Sequence, residues 1–363
     1  MDFYESEINR ATWAVPKKYI NLAPIGTGAY GLVCAAANVL SPDEKGAPLS
    51  VAIKKFSRPF QTPEHAKRTY RELKILRHMR HENIIELLDV FTPNPTLDSF
   101  NDVYFVAPLV GTDLSNILKT QKLTAEHIQF LMYQVLRALK YIHSAGIIHR
   151  DLKPSNIAVN KDSELKILDF GLAREVDEKM SGYVATRWWR APEIILSWMK
   201  YDQKADIWSV GCIMGECINR FVLFPGDDHI DQLKKIMRVV GTPDDAFLRK
   251  LDSQEARNYV RRSIPNYARV DFRRFFAGAS EQALDFLERV LSIDPQHRPT
   301  AEEALKHPYF ANLYDPQDEP TAGPLTDPMD MELTLTEWKK RIWDEIADFQ
   351  KQKAAANESM ELD

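Results

Sequence analysis

His149-Arg150-Asp151-Leu152-Lys153-Pro154-Ser155-Asn156 is the stretch on which the reading of this chain turns. Before it runs a helical pattern, with Ile128, Leu131, Val135, Leu139 and Ile142 on one stripe, Thr124 placed to cap its start and Gly146 to end it. The proline puts the stretch itself in a loop. A transferring phosphoryl group needs a base near the attacking hydroxyl, a cation beside the phosphoryl oxygens, and oxygen ligands for a divalent metal ion. Asp151 can supply the base, Lys153 the cation and Asn156 one oxygen ligand. A short apolar run, Leu165 to Leu168, then leads to Asp169-Phe170-Gly171. Taken alone Asp169 is a turn residue. In this order it is a second metal ligand, with Phe170 able to pack inward and Gly171 permitting a tight turn.

Working outward, the chain carries Gly26-Thr27-Gly28-Ala29-Tyr30-Gly31-Leu32-Val33 near its start. Three glycines at this spacing suit a hairpin with no ligand, the opening of a dinucleotide-binding fold, or a loop whose backbone N–H groups approach phosphates. The dinucleotide reading needs a helix straight after the glycines and an acid about 20 residues on. Instead a turn and a second strand follow, and the residue that arrives is Lys54, in Val51-Ala52-Ile53-Lys54. Lysines on short strands often snorkel to the surface. Glu72, on the next helical segment, is placed to pair with Lys54 and hold its ammonium toward nucleotide phosphates.

The length accommodates two lobes. Net charge is -5, which gives no electrostatic footprint for nucleic acid or membrane. The opening residues MDFYESEINR are acidic and polar, unlike a signal peptide, and no apolar run reaches membrane-spanning length. Cys34, Cys212 and Cys217 are too scattered for a disulfide framework or zinc site and read as buried small hydrophobes in a reducing setting. Strand-like runs at Leu32 to Val39, Ser50 to Lys55 and Asp102 to Ala107 enclose one helical segment, Glu64 to Arg80. After Gly111 the pattern is mainly helical, including a stripe of Ile207, Val210, Ile213 and Cys217. The expected architecture is therefore α+β: a small β-rich N-lobe with one regulatory helix (25–109) and a larger, mainly α-helical C-lobe (110–310). Residues 1–24 read as an N-terminal extension and 311–363 as a C-terminal extension. The latter carries a helix from Thr334 to Phe349, with Thr334 and Glu337 as a capping box. Its stripe of Leu335, Trp338, Ile342, Ile346 and Phe349 must strap back onto the body, and the tail from Lys351 should fray.

Together the glycine loop, VAIK, HRDLKPSN, DFG and Ala191-Pro192-Glu193 resemble the protein-kinase signature in order and context, over roughly Ile25 to Phe310. The resemblance implies the two-lobed kinase fold, with ATP and Mg²⁺ as cofactors. It places Ile25, Gly26, Gly28, Gly31, Val33, Ala52, Lys54, Glu72, Ala107, Pro108, Val110 and Asp113 around ATP. Asn156 and Asp169 become metal ligands, and Asp151 and Lys153 catalytic residues. It also pairs Glu193 with Arg298 and makes Asp206 a brace for the catalytic loop. Ala107 stands where a larger residue is common, which implies an open pocket behind the adenine; a small core residue is the plainer reading. Pro108 lacks an N–H but keeps the carbonyl that adenine needs.

The loop 169–193, DFGLAREVDEKMSGYVATRWWRAPE, is similar to the activation loop of mitogen-activated protein kinases. Ser181, one glycine and Tyr183 resemble the Thr-Gly-Tyr lip of the stress-activated subgroup, as do LFPGDDHIDQLKKIMRVVGTP, ARNYV and DPQDEP. This implies a proline-directed serine/threonine kinase, switched on by an upstream dual-specificity kinase that phosphorylates Ser181 and Tyr183. A phosphate brings nearly two negative charges. Arg68, Arg71, Arg150 and Arg174 are the expected partners of phosphoserine 181, Arg187 and Arg190 of phosphotyrosine 183, and Thr186 joins the catalytic set. Trp189, where tyrosine is usual, should change packing only. Asp315, Asp318, Glu319 and Asp162 imply a docking site for basic motifs of substrates and phosphatases, altered by Gln317 and Lys161. The resemblance further implies a monomer in cytoplasm and nucleus, without nucleic-acid or membrane partners. A kinase-shaped module that signals by shape alone would be expected to lack Lys54, Asp151, Asn156 or Asp169, and all are present.

Overall fold

Alternating side chains at Val51, Ile53, Tyr104 and Val106 give one face of a sheet to a common core. In the computed structural model, which describes residues 2–28, 31–42, 46–175, 187–197, 202–251, 253–326, 329 and 331–360, this sheet organises the first of two compact units. That unit comprises Met1–Arg80, Ile85–Val110 and Thr326–Asp363. Its strands are β1 (Phe3–Ile8), β2 (Ala11–Pro16), β3 (Tyr19–Gly28), β4 (Gly31–Pro42), β5 (Pro48–Phe56), β6 (Asp89–Phe91) and β7 (Tyr104–Pro108), with helix α1 (Pro63–His78) between β5 and β6. An antiparallel sheet runs in the order β3-β4-β5-β7-β6. The β1–β2 hairpin, in the span expected to be an extension, instead contributes fully buried Trp13 and Val15 to this core. Its Ala14 N–H donates to Tyr104 Oη.

Thr62 caps α1, and Ala66, Tyr70, Leu73 and Leu76 form its buried stripe. The C-terminal helix (Leu335–Met360) belongs to the same unit and buries Trp338, Ile342 and Ile346, as the periodicity required. Trp338 packs on Tyr70, and Glu345 pairs with Lys74 and Arg77. This helix runs to Met360, well past Lys351, where fraying was expected. No Gly or Pro interrupts 349–360, and the added turns have partners. Gln350 Nε2 reaches Asp89 Oδ1 at 2.7 Å and Lys353 Nζ reaches Asp89 Oδ2 at 3.3 Å. Asp89 is wholly buried and also accepts from Lys18 Nζ (2.6 Å) and Tyr19 Oη (2.8 Å). Burial pushes its carboxyl up, but Lys353 and Lys18 outweigh that and hold it below the usual range.

The second unit is His81–Ile84 with Gly111–Leu325, so the chain divides after Val110, with His81–Ile84 grouped across that division. His81–Ile84 joins it through Asn83, whose Nδ2 donates to Leu165 O and whose carbonyl accepts from Ile167 N–H. Elements β8 (Thr112–Asp113), α2 (Leu114–Thr120), α3 (Ala125–Ser144), β9 (Ile147–Ile148), β10 (Ile157–Val159), β11 (Leu165–Ile167) and β12 (Arg174–Glu175) come first. The helices α4 (Pro192–Ser197), α5 (Lys204–Asn219), α6 (His229–Val240), α7 (Asp245–Lys250), α8 (Gln254–Ser263), α9 (Phe272–Phe275), α10 (Glu281–Val290) and α11 (Ala301–Leu305) follow. Thr124 caps α3 as expected, and α5 is buried along Ile207, Val210, Ile213 and Cys217. Gly211 lets α10 approach α5, since a Cβ there would sit 2.8 Å from Val290 and Leu291 side-chain atoms.

Arg298 is fully buried and pairs with Glu193 by two hydrogen bonds, of 2.6 and 2.8 Å. Breaking such a pair from one side leaves a charge uncompensated. Glu193→Ala should therefore destabilise the protein by about 3–5 kcal/mol in urea titrations, and Glu193→Met with Arg298→Met should recover most of that loss. A second expectation concerns pH. His81 accepts the Asn83 N–H at Nδ1, and burial, aided by Arg137, lowers its pKa to about 4. The unfolded chain then takes up that proton first as pH falls, and stability is lost between about pH 6.5 and 4. His81→Gln should remove roughly 2 kcal/mol of the stability difference between pH 7 and pH 5, read as a flatter unfolding midpoint against pH.

Candidate active site

In the first unit, β3 and β4 meet at Gly28 and Gly31, which face each other in the ladder. At position 31 a Cβ would lie 2.3 Å from the Lys55 carbonyl, so only glycine lets β4 and β5 approach there. Ile25, three residues before Gly28 on β3, is exposed. Lys54, paired with Val33 on one side and Phe105 on the other, points Nζ to Glu72 Oε1 at 2.6 Å. Glu72 is nearly buried on α1 while Lys54 keeps some exposure, so the ammonium is fixed without being sealed off. Ala52 faces Ala107, and Val51 faces Pro108, with the Leu109 N–H donating to Ser50 O just before Val110.

The loop from His149 to Asn156, in the second unit, owes its shape to Asp206 on α5. This carboxylate is almost fully buried and accepts the N–H groups of His149 and Arg150, each at 2.9 Å. It also meets His143 Nε2 at 2.9 Å. Burial pushes the Asp206 carboxyl up, yet the His143 contact and these donors hold it below the usual range. Arg150 has φ +70°, a conformation unfavourable for a side-chain-bearing residue, which the two accepted N–H groups stabilise. The chain then presents Asp151. Its Oδ2 accepts from Lys153 Nζ at 2.6 Å and from Asn156 Nδ2 at 2.9 Å. Asn156 Nδ2 also donates to Asp151 O at 2.8 Å, which turns its Oδ1 the other way.

Asp169 follows β11 with φ +56° and accepts the Gly171 N–H at Oδ1, 3.1 Å. Phe170 is fully buried, edge-on to His149, whose Nε2 meets Leu168 O at 2.9 Å. Leu168 N–H donates in turn to Asn156 O at 2.8 Å, so Asp169 is tied to the loop that carries Asp151 and Asn156. Hard oxygen donors from one amide and one carboxylate suit Mg²⁺, which usually takes few protein ligands and leaves the rest to phosphate and water. No larger cluster of potential metal ligands occurs among the described residues. Asp113 caps α2, accepting Asn116 N–H and Nδ2 at 3.0 and 2.6 Å.

Ser181, Tyr183 and Thr186 lie outside the described residues. Among the candidate arginines, Arg71, Arg150 and Arg190 are buried, and Arg187 donates to Asp227 O at 2.5 Å. Arg68 borders a small polar cavity with Arg58 and His65, and Arg174 lies on β12 beside β9. Trp189 does more than pack, because its indole N–H donates to Glu216 Oε2 at 2.8 Å and its carbonyl accepts from Ser209 Oγ. Burial raises the Glu216 carboxyl. His143 and Glu216 are contacts the sequence did not signal; each sits on a helical stripe that reads as core.

The expected docking acids differ among themselves. Asp162 is exposed in a turn, and Asp315 accepts the Gln317 N–H. Asp318 is largely exposed, although Arg137 holds its carbonyl and reaches its carboxylate at 3.0 Å. Glu319 is not offered to solvent: it is buried against Lys140 Nζ at 3.0 Å and Tyr133 Oη at 3.3 Å.

A family model described as "Protein kinase domain" matches residues 19–310. The chain is 61% identical over 357 residues to mitogen-activated protein kinase pmk-1 of Caenorhabditis elegans, covering 98% of this chain and 93% of that protein. It is 58% identical over 348 residues to mitogen-activated protein kinase 14 of Xenopus laevis, covering 96% and 94%. A shared signature, matched over nearly the whole length by these relatives, shows that the chain belongs to the protein kinases and, within them, to the stress-activated mitogen-activated protein serine/threonine kinases.

Proposed function

We propose that this kinase transfers the ATP γ-phosphate to serine or threonine residues followed by proline, and that phosphorylation of Ser181 and Tyr183 switches it on. The observation that carries the catalytic part is the set Asp151, Lys153 and Asn156, joined at 2.6–2.9 Å on a loop braced by Asp206. In this reading Asp151 accepts the proton of the substrate hydroxyl, and Lys153 keeps that carboxylate oriented and neutralises charge on the transferred group. Lys54, held by Glu72, positions the α- and β-phosphates. Ile25, Gly26, Gly28, Gly31, Val33, Ala52, Ala107, Pro108 and Val110 bound the nucleotide, with Asp113 near the ribose. Asn156 and Asp169 are the residues that would hold Mg²⁺, which when bound neutralises charge on the phosphates. Arg68, Arg71, Arg150 and Arg174 serve phosphoserine 181, and Arg187 and Arg190 serve phosphotyrosine 183, each as a charge-assisted partner.

As a member of its family the protein works in a cascade with an upstream kinase and protein substrates. We assign its docking of basic motifs to exposed Asp318, Asp315 and Asp162, without Glu319. Cytoplasm and nucleus are the compartments this role implies.

Phosphate transfer from radiolabelled ATP to a Ser-Pro peptide, after treatment with an activating dual-specificity kinase, tests the assignment. Asp151→Asn should lower kcat by roughly 10²–10⁴-fold with the peptide KM little changed. Comparable activity in the variant would remove Asp151 from the mechanism. Ser181→Ala should abolish the response to the activating kinase; an intact response would disprove the switch. Ala107→Phe should weaken bulky inhibitors of the ATP site far more than ATP itself, and equal losses would contradict an open pocket behind the adenine.

A further inference from the structure

Two helices of the second unit begin beside the same hollow. Residues Lys122 to Ala125 lead into α3, and Ala277 to Ser280 lead into α10; between them, with the end of α5, lies a cavity of about 450 Å³. That volume falls in the range of small-molecule sites. The walls are apolar and mostly small: Leu123, Ile128, Cys217, Ile218, Ala279 and Ala283. Small side chains leave room that a larger core residue would have filled.

Three polar features border this apolar space. Lys122 is exposed at its edge and has no ion pair or hydrogen bond among the described residues. Tyr309 also lines the cavity and is 7% exposed. Its backbone N–H and carbonyl are bonded to His307 and Gln129, but its phenol hydroxyl has no partner among the described residues. That hydroxyl is not sealed from solvent, so it is open to donate to a ligand in the cavity. Ser280 caps α10 from the cavity wall, so the positive end of that ten-residue helix faces the same region. The first turn of α3 offers less, because Glu126 already bonds its own N–H and Thr124.

We propose that this cavity is a binding site for an anionic amphiphile of the fatty-acid class. The alkyl chain lies against Leu123, Ile128, Ile218 and the alanines. The carboxylate meets Lys122 and the start of α10, and the Tyr309 hydroxyl donates to it. The inference is independent of the assignment of catalytic residues.

Decanoate, below its micellar concentration, is the probe, titrated into the full-length protein by calorimetry. Saturable binding of one decanoate per chain is expected, and absence of saturation overturns the proposal. Lys122→Glu should weaken decanoate about tenfold while leaving decanol unaffected, since only the head group meets the charge. Equal affinities of decanoate and decanol for the unaltered protein would disprove the anionic head group. Ala283→Trp should fill the cavity and abolish binding, with circular dichroism and the unfolding midpoint reporting whether the variant folds. A second apolar groove lies elsewhere in the unit, lined by Ile195, Leu196, Ile230, Leu233, Ala256 and Tyr259. Ala256→Trp there should leave decanoate binding intact. Loss with Ala256→Trp and retention with a folded Ala283→Trp would move the ligand to that groove and reject the site proposed.

Discussion

One buried carboxylate does most to set the geometry of the second unit's chemistry. Asp206 accepts two consecutive backbone N–H groups from a turn that side-chain sterics disfavour, and no neutral side chain would bind both as strongly. The position of Asp151 follows from that turn, those of Lys153 and Asn156 from Asp151, and that of Asp169 from the bond between Leu168 and Asn156. A group exposed to water could not serve as well, because solvent would compete for both N–H groups. Desolvating Asp206 is tolerable because its carboxylate is met by the His149 and Arg150 N–H groups and by His143 Nε2.

The first unit solves a comparable problem with a salt bridge. Lys54 and Glu72 lie on different elements, so their bond fixes the relation of α1 to β5. Further contacts hold α1 through Tyr70, Lys74 and Arg77 to the C-terminal helix. The buried Asp89 cluster then fixes where along the sheet that helix sits. Glu72 is thus positioned by packing on both of its flanks rather than by one contact.

What the sequence revealed and what it hid divide along physical lines. Local chemistry was legible: glycines where two strands pair, a lysine on a short strand, and a loop with its carboxylate, ammonium and amide at fixed offsets. Capping at Thr124 and the stripe of the last helix were legible for the same reason, since periodicity and caps are short-range signals. The β1–β2 hairpin was missed because Trp13 and Val15 acquire their meaning only from strands far along the chain. Glu319 looked like one acid in an acidic run, and only the folded position of Lys140 and Tyr133 makes it internal. Helix ends are set by tertiary partners as much as by propensity, which is why Gln350 and Lys353 extend the final helix beyond the expected stop.

The first unit is assembled from both ends of the chain, and this bears on how the protein is made. During synthesis the sheet and α1 leave the ribosome early, but Trp338, Ile342 and Ile346 emerge only near the finish. Until then Tyr70 and its neighbours on α1 lack their cover, while the mostly contiguous second unit already has all of its own residues. A nascent chain therefore carries a sticky, unfinished N-terminal portion for much of translation, which makes it a natural client for chaperones that shield apolar helices.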